Sequence, residues 1–257
     1  MAFIIGGHPR SGTTLLFRLC RDHPQIGITG EFKCFQGLDS PLLEYWRWVQ
    51  TDWRHFSFFW RIGFKAPWIF KVGSGIFLAQ YRWHLQRIAP DRVSVSDVER
   101  TLQRVLHKKV VGDKYPGYVF ALPALVRQPL LKRIIIYRDA RDVSSSFMNM
   151  VRTKWKGRNW TKEFRTPRDV ALQWVRAVET MENTKEHLLA IRYEDLVREP
   201  RPALRKMADY LGVDPEGFNT RRVHTESVGK HANFLSEEEI RGVLEVAGPA
   251  MERWGYL

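Results

Sequence analysis

The chain has 257 residues, 44% hydrophobic and 27% charged, the balance of a folding chain rather than a disordered one, and its length suits one α/β domain spanning 1–257. Its 41 Lys and Arg outweigh 28 Asp and Glu, and the resulting charge of +13 favours an anionic partner: nucleic acid, a membrane surface or a phosphorylated small molecule. Two cysteines, Cys20 and Cys34, exclude a disulfide framework and a four-cysteine zinc site.

The opening residues turn polar too early for a signal peptide, and no uncharged apolar stretch approaches about 18 residues, so a free-thiol, cytoplasmic protein is expected. Residues 2–6 (AFIIG) predict a strand, Gly7 to Gly12 a tight loop, and Leu15, Leu16, Leu19 and Cys20 one face of a helix. Residues 26–29 predict a second buried strand, with Gly30 and Glu31 just beyond it. From Leu42 to Ile88 the chain is aromatic and basic. Pro67 and the Gly73/Gly75 pair punctuate this block, which predicts several short helices rather than one long one. Ser96 with Glu99 reads as a capping box for a helix through Leu106.

A strand at 109–111 runs into Gly112-Asp113-Lys114, and the β-branched run 133–137 (RIIIY) leads into Arg138-Asp139-Ala140-Arg141-Asp142 and a helix over 142–150. The basic, polar segment 151–166 reads as a loop. Thr166-Pro167-Arg168-Asp169 opens a helix through about Asn183, and 188–193 predict another strand. A helix from Pro202 to Leu211 closes at Gly212, and Ser236 with Glu239 caps the last one. Strands alternating with helices predict right-handed crossovers and a parallel sheet, whose ligands sit outside the carboxyl ends of the strands.

Gly7-x4-Gly12-Thr13-Thr14 has the frame of a phosphate-binding loop, with Thr13 standing where a loop for nucleoside triphosphates carries Lys. The glycines let the backbone close around an anion, and the amides of 11–15 open a helix whose positive end faces it. The hydroxyls of Ser11, Thr13 and Thr14 add donors. Farther on, Arg138 leaves a strand end with a forked donor set, and Ser146, eight residues later, points back from the ensuing helix. His, Cys and acidic residues show no ligand spacing, and no metal is expected.

On these motifs the sequence resembles the sulfotransferases that use 3'-phosphoadenosine 5'-phosphosulfate (PAPS). In that family a PRSGTT or PKSGTT loop grips the 5'-phosphosulfate. Ser11, Gly12, Thr13 and Thr14 match its donors, and Arg10 matches the basic residue beside the transferring sulfuryl group. IIIYRDARDVSSSF matches the motif that holds the 3'-phosphate, with Arg138 and Ser146. In VGDKYP, Lys114 matches a Lys that neutralises charge on the bridging oxygen. In IRYEDLVREP, Tyr193 matches a residue lining the nucleotide pocket, whereas Glu194 and Asp195 read as structural. HTESVGKHANFLS offers Ser227 and Lys230 as a C-terminal cover for the nucleotide. The matches run from the N-terminus to about Leu211. They imply a three-layer, P-loop-type α/β fold with a helical insertion at 42–88. They also imply PAPS as donor, adenosine 3',5'-bisphosphate as product, and an acceptor hydroxyl on a small molecule, carbohydrate, lipid or peptide.

Cytosolic members of the family use a His two residues after the Lys that matches Lys114, and this chain has Pro116 there. The tyrosylprotein branch and many bacterial relatives use a Glu after the first helix instead. Here His23-Pro24 leads to Glu31, 21 residues after Arg10, the separation of that branch. Glu31 is the first candidate base, expected to face both Arg10 and Lys114, whose charges lower its pKa and tie proton transfer to late bond formation. A structural partnership with Arg10 is its competing role, and His8 is the second candidate. The aromatics of 42–88 read either as core or as an apolar slot over the acceptor. Arg47, Arg54, Arg61, Lys65 and Lys71 beside them make membrane-surface contact a lesser reading. The alternatives are a kinase-like phosphotransferase with an atypical loop, which Thr13 opposes, and a basic polyanion-binding module. No specific nucleic acid is expected.

Overall fold

In β1 (Ala2–Gly6) every residue is buried, and alternate side chains feed two different layers: Ala2 and Ile4 one core, Phe3 and Ile5 the other. A strand covered on both faces needs this unbroken apolar run. It is the middle strand of a parallel sheet in the order β2-β3-β1-β4-β5, with β2 at Ile26–Gly30, β3 at Val110–Lys114, β4 at Leu131–Tyr137 and β5 at Leu189–Arg192. The computed structural model describes residues 1–49, 67–89 and 91–257. Trp53, Phe58, Phe59, Trp60, Arg54, Arg61 and Lys65 of the aromatic block lie outside them, as do the side chains of Trp68, Phe70 and Lys71.

One face of the sheet is covered by α1 (Thr13–Arg21), α8 (Tyr193–Arg198) and α9 (Pro200–Leu211), which bury Leu16, Leu19, Leu196, Leu204 and Met207 against Ile134 and Ile136. The other face receives α2 (Leu42–Trp48), α3 (Pro67–Ile88), α4 (Val95–Leu106) and α5 (Tyr118–Leu125). It also receives α7 (Pro167–Glu182), on which α6 (Ala140–Arg152) and α10 (Glu237–Arg253) pack. The expected three-layer α/β architecture is therefore present. Among the described residues no helix is long and apolar enough to cross a membrane.

The cap readings at Thr166/Asp169 and Ser236/Glu239 hold, and Gly212 closes α9 with φ 65°. Two readings need correction. The capping box of α4 is Ser94 with Asp97, not Ser96 with Glu99: the Asp97 amide donates to Ser94 Oγ at 3.3 Å, and the Ser94 amide to Asp97 Oδ2 at 3.0 Å. Starting the helix there lets Val95, Val98 and Leu102 share its buried face, while Glu99 instead takes the N-terminal ammonium. The second correction is α3, a single 22-residue helix that runs through Gly73 and Gly75. Pro67 suits a first helical position, and a glycine inside a helix costs about 1 kcal/mol without breaking it. The inner face of α3 carries Phe77, Tyr81 and Leu85 into the core, where Phe32 meets the rings of Phe77 and Tyr81 edge-on. Phe77 and Tyr81 are therefore core, whereas Trp48 and Trp83 stay about half exposed.

The corrected cap gives a direct expectation. Ser94→Ala should lower unfolding stability by about 1 kcal/mol, and Ser96→Ala should leave it nearly unchanged, both read from urea denaturation midpoints.

Candidate active site

Strand order converts motifs scattered along the chain into one row. At the carboxyl ends stand, in turn, Glu31 after β2, Lys114 closing β3, the 7–12 loop after β1, Arg138 after β4 and Tyr193 after β5. A parallel sheet delivers all five to the same edge because every strand points the same way.

The central loop is shaped by close packing. Gly7 has φ 149°, and a Cβ there would collide with the Ile136 carbonyl. Its amide donates to the Pro116 carbonyl at 3.1 Å, which joins the loop to the turn after Lys114. Gly12, at φ 105°, opens α1, and a Cβ there would lie 2.5 Å from the Tyr193 ring. The amides of Leu15 and Leu16 donate to the Gly12 carbonyl at 2.9 and 3.2 Å, which leaves those of Thr13 and Thr14 at the positive end of the helix dipole, beside the loop. Thr13 is buried and Thr14 half-buried beside them. Ser11 is fully buried, and its Oγ has no hydrogen-bond partner.

Arg10 takes φ 77°, and its Nε donates to Ser146 Oγ at 3.0 Å, joining the first motif to the second. Arg138 is buried and forms the hub. Its guanidinium donates to the carbonyls of Arg10 and Ser227, pairs with Asp142 at 3.2 Å and lies over the Tyr193 ring at 4.6 Å. Tyr193 thus packs against both Gly12 of the loop and the arginine. Ser227 reaches this cluster through its carbonyl. Lys230 opens a short 3-10 turn nearby and is exposed.

At the other end Lys114 Nζ donates to Glu31 Oε1 at 2.8 Å. The lysine is 0% exposed, and burial pushes its ammonium below the ordinary range, opposed by the Glu31 carboxylate. The expectation that Glu31 faces two cations is corrected by this geometry. Arg10 turns to Ser146, and among the described residues it is Lys114 that pairs with the carboxylate. His8 is buried too, its Nδ1 on the Pro9 carbonyl at 2.8 Å and its ring beside Phe147. Burial lowers its pKa to about 4, against the pull of the Pro9 and Gln173 hydrogen bonds, so it is neutral at pH 7.

Two residues that sequence reasoning passed over organise the site. Asp142, buried beneath Arg138, accepts from the Gly229 amide at 2.8 Å, the His231 amide at 3.0 Å and His231 Nδ1 at 2.8 Å, and so fastens the C-terminal loop to α6. Asp113, fully buried, accepts from Thr29, Phe32, Lys33 and Tyr118 next to Glu31. Both stand inside motifs read for their neighbours, and only an acid in an otherwise apolar or cationic run marked them. Glu194 is structural as expected, accepting from the Asp139 amide at 3.1 Å and the Tyr256 hydroxyl at 2.9 Å.

A glycine loop without a lysine on the middle strand, with buried cations on the strands either side, is the arrangement of a P-loop-type fold. A model of the sulfotransferase family matches residues 2–217, and the chain belongs to that family: it is a sulfotransferase. It is 23% identical over 239 residues to a Caenorhabditis briggsae protein named for protein-tyrosine sulfotransfer, covering 91% of this chain and 72% of that one. Its fold is similar to the sulfotransferase domain from the curacin biosynthetic pathway (TM-score 0.57, 23% identity, 92% of this chain and 82% of that one). It is also similar to the sulfotransferase domain of the Synechococcus PCC 7002 olefin synthase (TM-score 0.58, 18% identity, 96% and 94%). A third similar structure is mouse sulfotransferase SULT7A1 complexed with PAP (TM-score 0.52, 16% identity, 98% and 84%).

The buried imidazole of His8 makes stability depend on acid. Between pH 6.5 and about 4 the unfolded chain takes up a proton that the folded chain refuses, so stability falls as pH drops through that window, by about 3 kcal/mol in all. His8→Asn, whose amide keeps a donor for the Pro9 carbonyl, should flatten this part of the curve of urea midpoint against pH.

Proposed function

We propose that this sulfotransferase is PAPS-dependent and moves a sulfuryl group to an acceptor hydroxyl. The observation that carries this reading is the Lys114–Glu31 pair, a buried ammonium and a partly exposed carboxylate 2.8 Å apart beside the glycine loop. The residues present fit such a nucleotide. Ser11 Oγ and Arg138 Nε are buried donors without a partner, and the loop closes on Gly7 and Gly12, where side chains have no room. Bound there, PAPS supplies a sulfuryl group on a phosphate leaving group.

Ser11, Thr13, Thr14 and the Gly12-led amides of α1 hold the 5' end through hydroxyls and the helix N-terminus. Arg138 and Ser146 hold the 3'-phosphate, Tyr193 lines the pocket, and Ser227 and Lys230 cover it. Arg10, bonded to Ser146, spans the distance between the two anion sites. Lys114 neutralises charge on the oxygen that leaves, an interaction worth most where charge develops. Glu31 accepts the acceptor's proton. The proton moves as the attacking oxygen becomes acidic, with Lys114 holding the carboxylate in place at 2.8 Å. His8, buried against Phe147, supports the loop rather than serving as the base. The likeness to the tyrosyl-named relative makes a tyrosine hydroxyl the first acceptor to try, ahead of carbohydrate, lipid and small-molecule hydroxyls.

Calorimetry should show binding of adenosine 3',5'-bisphosphate and none of ATP at micromolar concentration; the opposite pattern would point to a phosphotransferase. Arg138→Ala should weaken the bisphosphate roughly 10²-fold, as loss of a buried charged pair implies. Glu31→Gln should keep nucleotide affinity and lower turnover on the order of 10²–10⁴-fold, measured with labelled PAPS over a panel of acceptors. Parental turnover in that variant would remove Glu31 as the base.

A further inference from the structure

Glu31 and Lys33 both have positive φ, 59° and 60°, so two residues with side chains occupy the left-handed region within one turn. That conformation is disfavoured for any residue with a Cβ and persists only where the surroundings over-determine it. Three hydrogen bonds do so. The Glu31 amide donates to the Lys114 carbonyl at 2.5 Å, one step beyond the β2–β3 ladder. The next two amides, Phe32 and Lys33, donate to Asp113 Oδ1 at 3.2 Å and Oδ2 at 2.8 Å. Thr29 Oγ1 at 2.6 Å and Tyr118 Oη at 2.7 Å take the remaining acceptor positions, one on each oxygen. All four donors are neutral.

Successive strand residues point to opposite faces. Asp113 therefore enters the layer of Phe32 and Tyr118, while Lys114 enters the layer of Phe17, over whose ring its ammonium sits at 5.9 Å. The last two residues of β3 hold the same turn from its two sides, one by backbone and one by side chain. We propose that Asp113 is the positioning residue for Glu31: its carboxylate clamps the two amides that follow and so delivers the Glu31 carboxylate to Lys114. Asp113 is 0% exposed and never meets substrate. The clamp also sets Lys33, whose ammonium lies over the Tyr115 ring at 4.7 Å. A carboxylate suits the task because each oxygen accepts twice, whereas an amide has one accepting oxygen. Burial raises the Asp113 carboxyl pKa, and the four hydrogen bonds act against that rise.

The proposal rests on the reading of Glu31 as base, and the experiment separates the two. In Asp113→Asn, hydrogen exchange at the amides of Phe32 and Lys33 should speed up at least about 10-fold while β1 and β4 keep their protection. Unchanged protection there overturns the proposal without any assay of activity. Single-turnover transfer from PAPS to N-acetyltyrosinamide, whose hydroxyl is still protonated at neutral pH, is then compared in the parent, Asp113→Asn, Glu31→Gln and the double variant. Asp113→Asn should be roughly 10–100-fold slower, with affinity for adenosine 3',5'-bisphosphate kept within about twofold, and the double variant no slower than Glu31→Gln alone. Multiplied losses in the double variant mean that Asp113 acts independently of Glu31, which overturns the positioning role and leaves the base reading intact. Parental transfer by Glu31→Gln overturns the base reading instead. Should Asp113→Asn not fold, Thr29→Val removes one donor and keeps the branched shape. Its slowing of about 2–5-fold should vanish in the Glu31→Gln background, and a slowing that persists there overturns the proposal.

Discussion

An ammonium group sealed from water must be compensated where it stands, and at Lys114 the compensation comes from Glu31. Much of the site's layout follows from that requirement. Lys114 ends a strand lying between β1 and β2, so its partner has to come from the end of β2 and its neighbour on the other side is the glycine loop of β1. The same strand supplies Asp113 one residue earlier, on the opposite face. Charge, backbone conformation and strand order are thus satisfied together at one point of the sheet.

On the other side of β1, Arg138 plays the matching part. Its planar fork reaches the carbonyls of Arg10 and Ser227, the carboxylate of Asp142 and the face of Tyr193. Those partners come from the first loop, the C-terminal loop, α6 and the start of α8, and only α6 follows Arg138 directly in the chain. Asp142 extends the connection by holding the amides of Gly229 and His231. An anion held by Arg138 would therefore be sensed by both loops at once, through a group that is itself buried.

The +13 charge that first suggested an anionic partner is divided between these two roles. A few cations, Lys114 and Arg138 among them, are buried with carboxylate partners at the strand ends. Others, such as Arg82 and Arg87, lie over the rings of Trp46 and Trp83 on α2 and α3, away from the glycine loop in the chain. Net charge alone could not tell these populations apart, because it records how many cations there are and not which of them are desolvated.

Short windows of the chain encode the local elements. Five apolar runs made five strands, and Thr166/Asp169 and Ser236/Glu239 capped their helices, because each signal joins residues within one turn of one another. The anion loop was legible for the same reason: GHPRSGTT carries its glycines, hydroxyls and helix start together. Windows failed where two local readings competed, as at Ser94 and Ser96, and in α3, where glycines that merely weaken a helix were read as ending it. Which charges meet depends on the folded arrangement of the strands. Glu31 finds Lys114 across 83 residues and Arg10 finds Ser146 across 136, so Arg10 turns away from Glu31 although both flank the same helix. The roles of Asp113 and Asp142 were likewise invisible, since an isolated acid in a sequence gives no sign of the amides that packing will bring to it. Those pairings are set by the order of strands in the sheet and by what burial forbids to remain unpaired, and neither is a property of any local stretch of chain.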